Sequence, residues 1–447
     1  MRTAAFNIFL AAVMALFCHS AQAGLSDTQE FYLDNGLQVV VIPNHKAPIV
    51  KQVMLYKVGR VDEPRGKGGI AHLLEHLMFR GTKKFKDGEF NRLIEINGGI
   101  SNAATSHDKT FYHQFLSRDR LELAMYLEAE RMTGLSFDDE TFAKEREVVY
   151  QERQERLRSN TTRDFWEKVD KIFWKDSLYG EPIGGTSAEI KSITKQDVLD
   201  FYHKFYMPNN AVLILSGDID VDTARELAQK YYGKIKPREI GTKGETDDVD
   251  NREYRLGTYT VTAERSDLNI ARLSARYFLP HFNGDESFLY AMMVLTDYLG
   301  NSITSPLYKK LRLEAHLTTT IGVDFDYLTR GNSTFSFYAY FNNSNNVSKI
   351  QNTFIKTITE TIDKVSHQDI ERAKKRLLAG LIYANDNPSD AANIVTSWLA
   401  AGYSIENIKN YEKNIRLVSL TKVKALAATL NEYYPVWAVL TPKQGEN

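Results

Sequence analysis

Residues 69–82 read GIAHLLEHLMFRGT, and the centre of this stretch, His72-Leu73-Leu74-Glu75-His76, has the spacing of a metal site on a helix. Positions i, i+3 and i+4 lie on one helical face, so His72 and His76 can direct two imidazoles at one zinc ion. Glu75 lies beside them, near enough to accept a proton from a metal-bound water. From this pattern alone, a zinc site and a buried helix face with hydrogen-bonded histidines are equally good interpretations.

A catalytic zinc site also needs a third protein ligand and one open position. A second helix is the obvious source of a carboxylate, and the helical pattern at 138–158 contains Glu145 and Glu152. These two residues are two helical turns apart and share a face, with Val149 between them. The spacing indicates that this helix faces the histidines, but it does not choose between the two carboxylates.

The remaining chain alternates strand and helix patterns, mostly without the strand–helix–strand order of a parallel sheet. This order predicts an α+β fold with two similar domains, each a mostly antiparallel β-sheet packed with helices. Strands are expected at 37–42, 49–58, 99–116, 211–215, 269–278 and within 318–341, and helices at 70–79, 87–97, 118–132, 138–158, 195–205, 222–233, 285–299, 346–364 and 368–384.

The length of 447 residues predicts two domains. Residues 236–256 lack periodicity and contain an acidic cluster, which is typical of a solvated linker. We therefore expect an N-terminal zinc-binding domain at 24–235 and a related C-terminal domain without zinc ligands at 257–447.

Residues 1–23 have the pattern of a secretory signal peptide. Arg2 precedes an apolar run at 6–17, and Ala21-Gln22-Ala23 has small residues where signal peptidase requires them, so cleavage is expected before Gly24. An uncleaved anchor is the alternative, but the run is short for a membrane span. The mature protein is then expected to be exported, to the periplasm if the source is Gram-negative. No membrane span is expected after cleavage.

Composition excludes several function classes. Cys18 is the single cysteine and lies in the predicted signal peptide, so the mature chain has neither disulfides nor a cysteine-based site. The formal net charge of −1 offers no basis for binding nucleic acid or anionic membranes.

Residues 69–82, together with EREVVYQE at 145–152, resemble the pitrilysin/insulinase family of inverzincin peptidases, which includes mitochondrial processing peptidase and bacterial relatives. The resemblance implies one Zn²⁺ per chain, held by His72, His76 and Glu152. It implies Glu75 as general base and Glu145 as the supporting acid. The expected function is that of a zinc-dependent endopeptidase or oligopeptidase. A non-catalytic scaffold or partner subunit, which the family also contains, is the alternative.

The stretch Asn102-Ala103-Ala104-Thr105 after Gly98-Gly99 resembles the family's substrate-binding edge strand. A peptide substrate would add to such an edge through main-chain hydrogen bonds. A sheet edge that binds nothing is the alternative interpretation of the same residues.

The second half departs from the family pattern. Active members often carry an Arg and a Tyr seven residues apart, which help to hold the substrate carbonyl. Arg312 is present here, but Thr319 stands at the Tyr position. Large family members enclose a chamber with four such domains, and this chain supplies two, half of a clam-shell. The resemblance therefore implies a homologous subunit that carries the Arg/Tyr pair, in a heterodimer, or else a homodimer.

Overall fold

The computed structural model describes residues 25–244, 258–279 and 285–443. The predicted signal peptide and residues 245–256 of the predicted linker lie outside the described residues. The first half contains β1 (Gln29–Tyr32), β2 (Gln38–Pro43), β3 (Ile49–Tyr56), α1 (Ile70–Leu77), α2 (Glu89–Ile96), β4 (Ile100–Thr105), β5 (Thr110–Ser117), α3 (Leu121–Gly134), α4 (Asp139–Ser159), α5 (Arg163–Trp174), α6 (Ser187–Ser192), α7 (Lys195–Phe205), β6 (Ala211–Gly217) and α8 (Val221–Tyr231).

The second half follows the same plan. It contains β7 (Tyr259–Arg265), β8 (Ala271–Leu279), α9 (Glu286–Gly300), α10 (Pro306–Tyr308), a π-helical turn (Lys309–Glu314), β9 (Thr320–Asp326), β10 (Ser333–Phe341), α11 (Val347–Lys364), α12 (His367–Asp386), α13 (Pro388–Ala400), α14 (Ile405–Lys409), α15 (Tyr411–Leu417), α16 (Leu420–Glu432) and β11 (Val436–Pro442).

Two sheets with the same strand order show that the halves are related. The first sheet has the order β1-β2-β6-β3-β5-β4, and the second has the order β7-β11-β8-β10-β9. The second sheet repeats the first strand for strand once β1 is set aside. Pairs β2–β6 and β7–β11 are parallel, whereas the other pairs are antiparallel. The predicted α+β class, with two similar and mostly antiparallel sheets, is confirmed.

Each half also contributes one helix to the sheet of the other half. Helix α5 packs Phe165 and Val169 against Leu268, Ala438 and Leu440 of the second half. Helix α13 lies against β3 and β6 of the first sheet. Buried residues of α13, β3 and β6 belong to one hydrophobic cluster with the core of the second half. The two halves therefore share apolar packing in both directions. The exact domain boundaries remain a prediction.

The opposite face of the first sheet carries the motif helix α1. Its residues Ile70, Leu73, Leu74 and Leu77 are buried, and they pack with α3, α7 and the sheet in one cluster. Because these four residues occupy one side of the helix, the two histidines and Glu75 between them are left on the other side. None of the described helices combines the length and apolar character needed to cross a membrane.

Replacement of Ala392 by Asp tests the shared packing. Ala392 lies on α13 and is fully buried, so the new carboxylate would have no partner and we expect unfolding to become easier by about 3–5 kcal/mol. Thermal or urea unfolding measures this change. The control is Asn393→Asp, which adds the same charge at an exposed position on α13 where Lys51 Nζ donates to the side chain (3.0 Å), so that this charge has both water and a cation beside it. Equal stability of the two variants would contradict the shared core.

Candidate metal centre

The start of α1 is held by a carboxylate from outside the helix. The N-cap residue Gly69 provides no capping side chain and has a φ of 98°. Glu63 replaces that cap, because its carboxylate accepts hydrogen bonds from the backbone N–H of Gly69 (2.8 Å) and Ala71 (2.7 Å). Arg60 lies 3.1 Å from the same carboxylate, and both side chains are buried. Burial raises the pKa of Glu63, and Arg60 and the two N–H donors oppose that rise.

A close contact between two glycine pairs fixes the helix against the loop before α6. A Cβ on Gly185 would lie 2.1 Å from the carbonyl oxygen of Gly68, and one on Gly69 would lie 2.5 Å from that of Gly184. Gly69 and Gly185 also have positive φ angles, which favour glycine. This contact brings the loop next to His72, because a Cβ on Gly184 would be 3.5 Å from its Nδ1.

The structure brings the three predicted ligands together. His72 Nε2 lies 3.8 Å from Glu152 Oε2, and His76 Nε2 lies 3.6 Å from Glu152 Oε1. One ligand atom from each residue lies within 4.8 Å of the others. A tetrahedral zinc ion with bonds of about 2.1 Å spaces its ligand atoms about 3.4 Å apart. The two nitrogens and the carboxylate therefore suit a zinc ion in number and type, and the distances of 3.6 and 3.8 Å, each to a different carboxylate oxygen, are close to that spacing.

The protonation state of His72 suits a metal ligand. Burial, with further contributions from His76 and Arg156, lowers the pKa of His72 to about 3. The imidazole is therefore neutral at ordinary pH and keeps a lone pair for a cation. Arg156 lies one helical turn beyond Glu152, and its Nη2 is 3.1 Å from Glu152 Oε2.

Glu145 lies beside the Nδ1 atom of His76. Its Oε2 lies 3.4 Å from His76 Nδ1, and its side chain is only 1% exposed. A carboxylate in this position can orient an imidazole so that its other nitrogen, Nε2, faces a bound metal ion. Arg80 in turn lies 2.9 Å from Glu145 Oε1. No sequence pattern indicated a role for Arg80, although it stands four residues after His76.

Glu75 meets the predicted substrate strand. Its Oε2 accepts a hydrogen bond of 2.5 Å from the hydroxyl of Thr105, the last residue of β4. Burial raises the pKa of Glu75, whereas the Thr105 hydrogen bond and the charge of His76 oppose this rise. A carboxylate with a raised pKa accepts protons more readily than an ordinary glutamate does.

Strand β4 is the edge of the first sheet, and its described strand partner is β5. Asn102 and Ala104 are exposed, and Ala103 packs against the core on the other face. The outer main-chain side of β4 has no described strand partner, although the N–H of Ala103 donates to the side chain of Asn102 (2.8 Å). An extended peptide that displaces this amide can pair there.

Arg312 and Thr319 lie in the second half. Arg312 belongs to the π-helical turn and lies 5.6 Å over the ring of Tyr308. It makes no hydrogen bond or ion pair with the metal centre in the described parts of the chain. The hydroxyl of Thr319 donates to the carbonyl of Tyr340 (3.0 Å), so it is already used within the second sheet.

Comparison with known proteins defines the class to which this fold and site belong. The family model described as "Insulinase (Peptidase family M16)" matches residues 38–187, and that described as "Peptidase M16 inactive domain" matches residues 192–377. Together they match parts of both halves, and the first includes the three predicted ligands. The chain belongs to the M16, or insulinase, family of peptidases, as the resemblance of its motifs had indicated.

Several relatives are similar over most of the chain. The zinc protease PqqE of Helicobacter pylori is 28% identical, covering 93% of this chain and 92% of that protein. A probable mitochondrial-processing peptidase subunit beta of Arabidopsis thaliana is 22% identical, covering 92% and 78%. The crystal structure of a protease from Helicobacter pylori has a TM-score of 0.83 at 25% identity, covering 93% and 99%.

Glu145→Gln tests the support of His76. The amide keeps the shape of the side chain but loses its charge, so we expect zinc affinity to fall by roughly 10–100-fold. Competition with a chromophoric chelator measures that affinity. The matched control is Glu147→Gln on an exposed face of the same helix, which should bind zinc as the unmodified chain does. A folded Glu145→Gln variant with unchanged affinity would show that Glu145 does not support the site.

Proposed function

We propose that this chain is a zinc-dependent endopeptidase or oligopeptidase. The observation that carries the proposal is the convergence of His72, His76 and Glu152 beside Glu75, which itself contacts the end of an edge strand. Homologues named zinc proteases support this function.

The proposed mechanism assigns a separate task to each group. A zinc ion held by His72, His76 and Glu152 would lower the pKa of its water and polarise the substrate carbonyl. Glu75 accepts the proton from the attacking water and delivers it to the leaving amine. The free edge of β4 holds the substrate main chain extended. Arg312, or donors from a partner subunit, stabilises the charge that develops on the carbonyl oxygen.

The decisive variant is Glu75→Gln. Because an amide cannot accept the proton, we expect turnover of a quenched fluorescent peptide to fall by about 10²-fold or more. Zinc content should remain at one ion per chain, since Glu75 is not a predicted ligand. Glu140→Gln, an exposed acid in the first turn of α4, is the control and should cleave normally.

The same experiment separates the proposal from the alternative of a non-catalytic subunit. The matched C-terminal family model is described as an inactive domain, which is the observation that favours this alternative. A non-catalytic chain would show no cleavage even when zinc is bound, with or without a related subunit. A Glu75→Gln variant that cleaves normally would instead refute the role of Glu75.

We further propose that a homologous subunit bearing the Arg/Tyr pair completes the site in a heterodimer, with a homodimer as the second arrangement. Thr319 cannot reach as a phenol does, and the Arabidopsis relative is named as a subunit. We expect the isolated chain to turn over slowly and an added homologue with the pair to raise kcat. Light scattering measures the number of subunits in the complex, and peptide-cleavage assays measure kcat. The homologue alone is the control. A fully active monomer would contradict this proposal.

A further inference from the structure

The hydroxyl of Thr105 is the side-chain donor that reaches Glu75. The hydrogen bond joins Thr105 Oγ1 to Glu75 Oε2 at 2.5 Å. The described residues donate no hydrogen bond to the other carboxylate oxygen, Oε1. One oxygen of the predicted base is therefore bound by the protein, and the other remains able to accept a proton.

A main-chain contact reinforces this side-chain contact. The turn after β4 accepts hydrogen bonds at the carbonyls of Ser106 and His107 from the N–H groups of Arg60 (3.1 Å) and Val61 (3.0 Å). A Cβ on Gly59 would lie 2.5 Å from the carbonyl oxygens of both turn residues, so the two segments are in close contact.

The segment that contacts this turn is also connected to the motif helix α1. Arg60 forms the buried ion pair with Glu63, and Glu63 caps the start of α1. The end of β4 is thus tied to α1 at two points, through the Arg60–Glu63 pair at the start of the helix and through Thr105 at Glu75. A displacement of the strand would move the hydroxyl relative to the carboxylate.

We propose that Thr105 is a positioning residue that orients Glu75 and couples this orientation to substrate binding on β4. The hydrogen bond holds Oε2, so that Oε1 accepts the proton from the attacking water. A peptide that pairs with the free edge of β4 immobilises the strand and with it the donor hydroxyl. This inference rests on the proposed peptidase function and adds a residue to it.

Thr105→Val replaces the hydroxyl by a methyl group of the same size. Without the hydrogen bond the carboxylate samples several orientations, and we expect kcat to fall by about 10–100-fold because small misplacements of catalytic groups are costly. KM should change less than about 2-fold, since the substrate pairs with the main chain of β4. Zinc affinity should be unchanged because the ligands are not altered. Thr105→Ser restores the hydroxyl and should restore most of kcat.

The matched control is Thr223→Val. It removes another hydrogen bond from a threonine hydroxyl to a carboxylate, that of Asp220 at the start of α8, and should leave kcat unchanged. A Thr105→Val variant with the kcat of the unmodified chain would overturn the proposal. So would a loss of zinc or of thermal stability that Thr105→Ser fails to restore, since this would indicate a purely structural role.

A crystal structure of the zinc-bound Thr105→Val variant provides a readout that does not depend on turnover. We expect the Glu75 carboxylate to adopt alternative orientations there and a single orientation in Thr105→Ser. An unchanged Glu75 orientation in Thr105→Val overturns the positioning role even if the unmodified chain proves inactive. Inactivity of the unmodified chain with its zinc and partner would instead refute the peptidase function.

Discussion

The buried ion pair of Arg60 and Glu63 is the interaction on which the candidate metal centre depends. Glu63 supplies the cap that the glycine at the start of α1 lacks, so the direction of the helix is set by a carboxylate outside it. Breaking a buried pair by removing one partner costs several kcal/mol, because the remaining charge has no water to solvate it. The positions of both histidines follow from the direction of α1.

The second half of the chain contributes to this arrangement without providing a predicted metal ligand. Arg330, in the loop between β9 and β10, lies 2.8 Å from Asp62 and 3.1 Å from Asp108. Asp62 is adjacent to Glu63, and Asp108 lies in the turn after β4. One arginine therefore contacts both segments that hold the motif helix and the edge strand. The packing of α5 on the second half and of α13 on the first sheet holds the two halves together where Arg330 makes these contacts.

Local patterns predicted the helices and most strands around the site, but the single strand expected at 99–116 is two antiparallel strands, β4 and β5, joined by a turn. A few neighbouring residues are enough to recognise the His72, Glu75 and His76 spacing and the apolar side of α1. The same holds for the apolar strands β2, β3 and β6. The elements that were not predicted are helices α5, α6 and α10, strands β1, β7 and β11, and the helices after residue 387. Several of these elements are short or lie in polar surroundings, and α5 and α13 bury their apolar faces against a distant sheet.

The sequence by itself determined the fold class, the family and the identity of the candidate zinc ligands, because each depends on residue types at short spacing or on a motif that can be matched. The tertiary structure alone decided that Glu63 caps α1, that Arg80 supports Glu145, and that Thr105 contacts Glu75. Glu63 and Ala71 are 8 residues apart in the chain, Thr105 and Glu75 are 30 apart, and Arg80 and Glu145 are 65 apart. Contacts at such separations arise when sheets and helices pack, and no local periodicity encodes them.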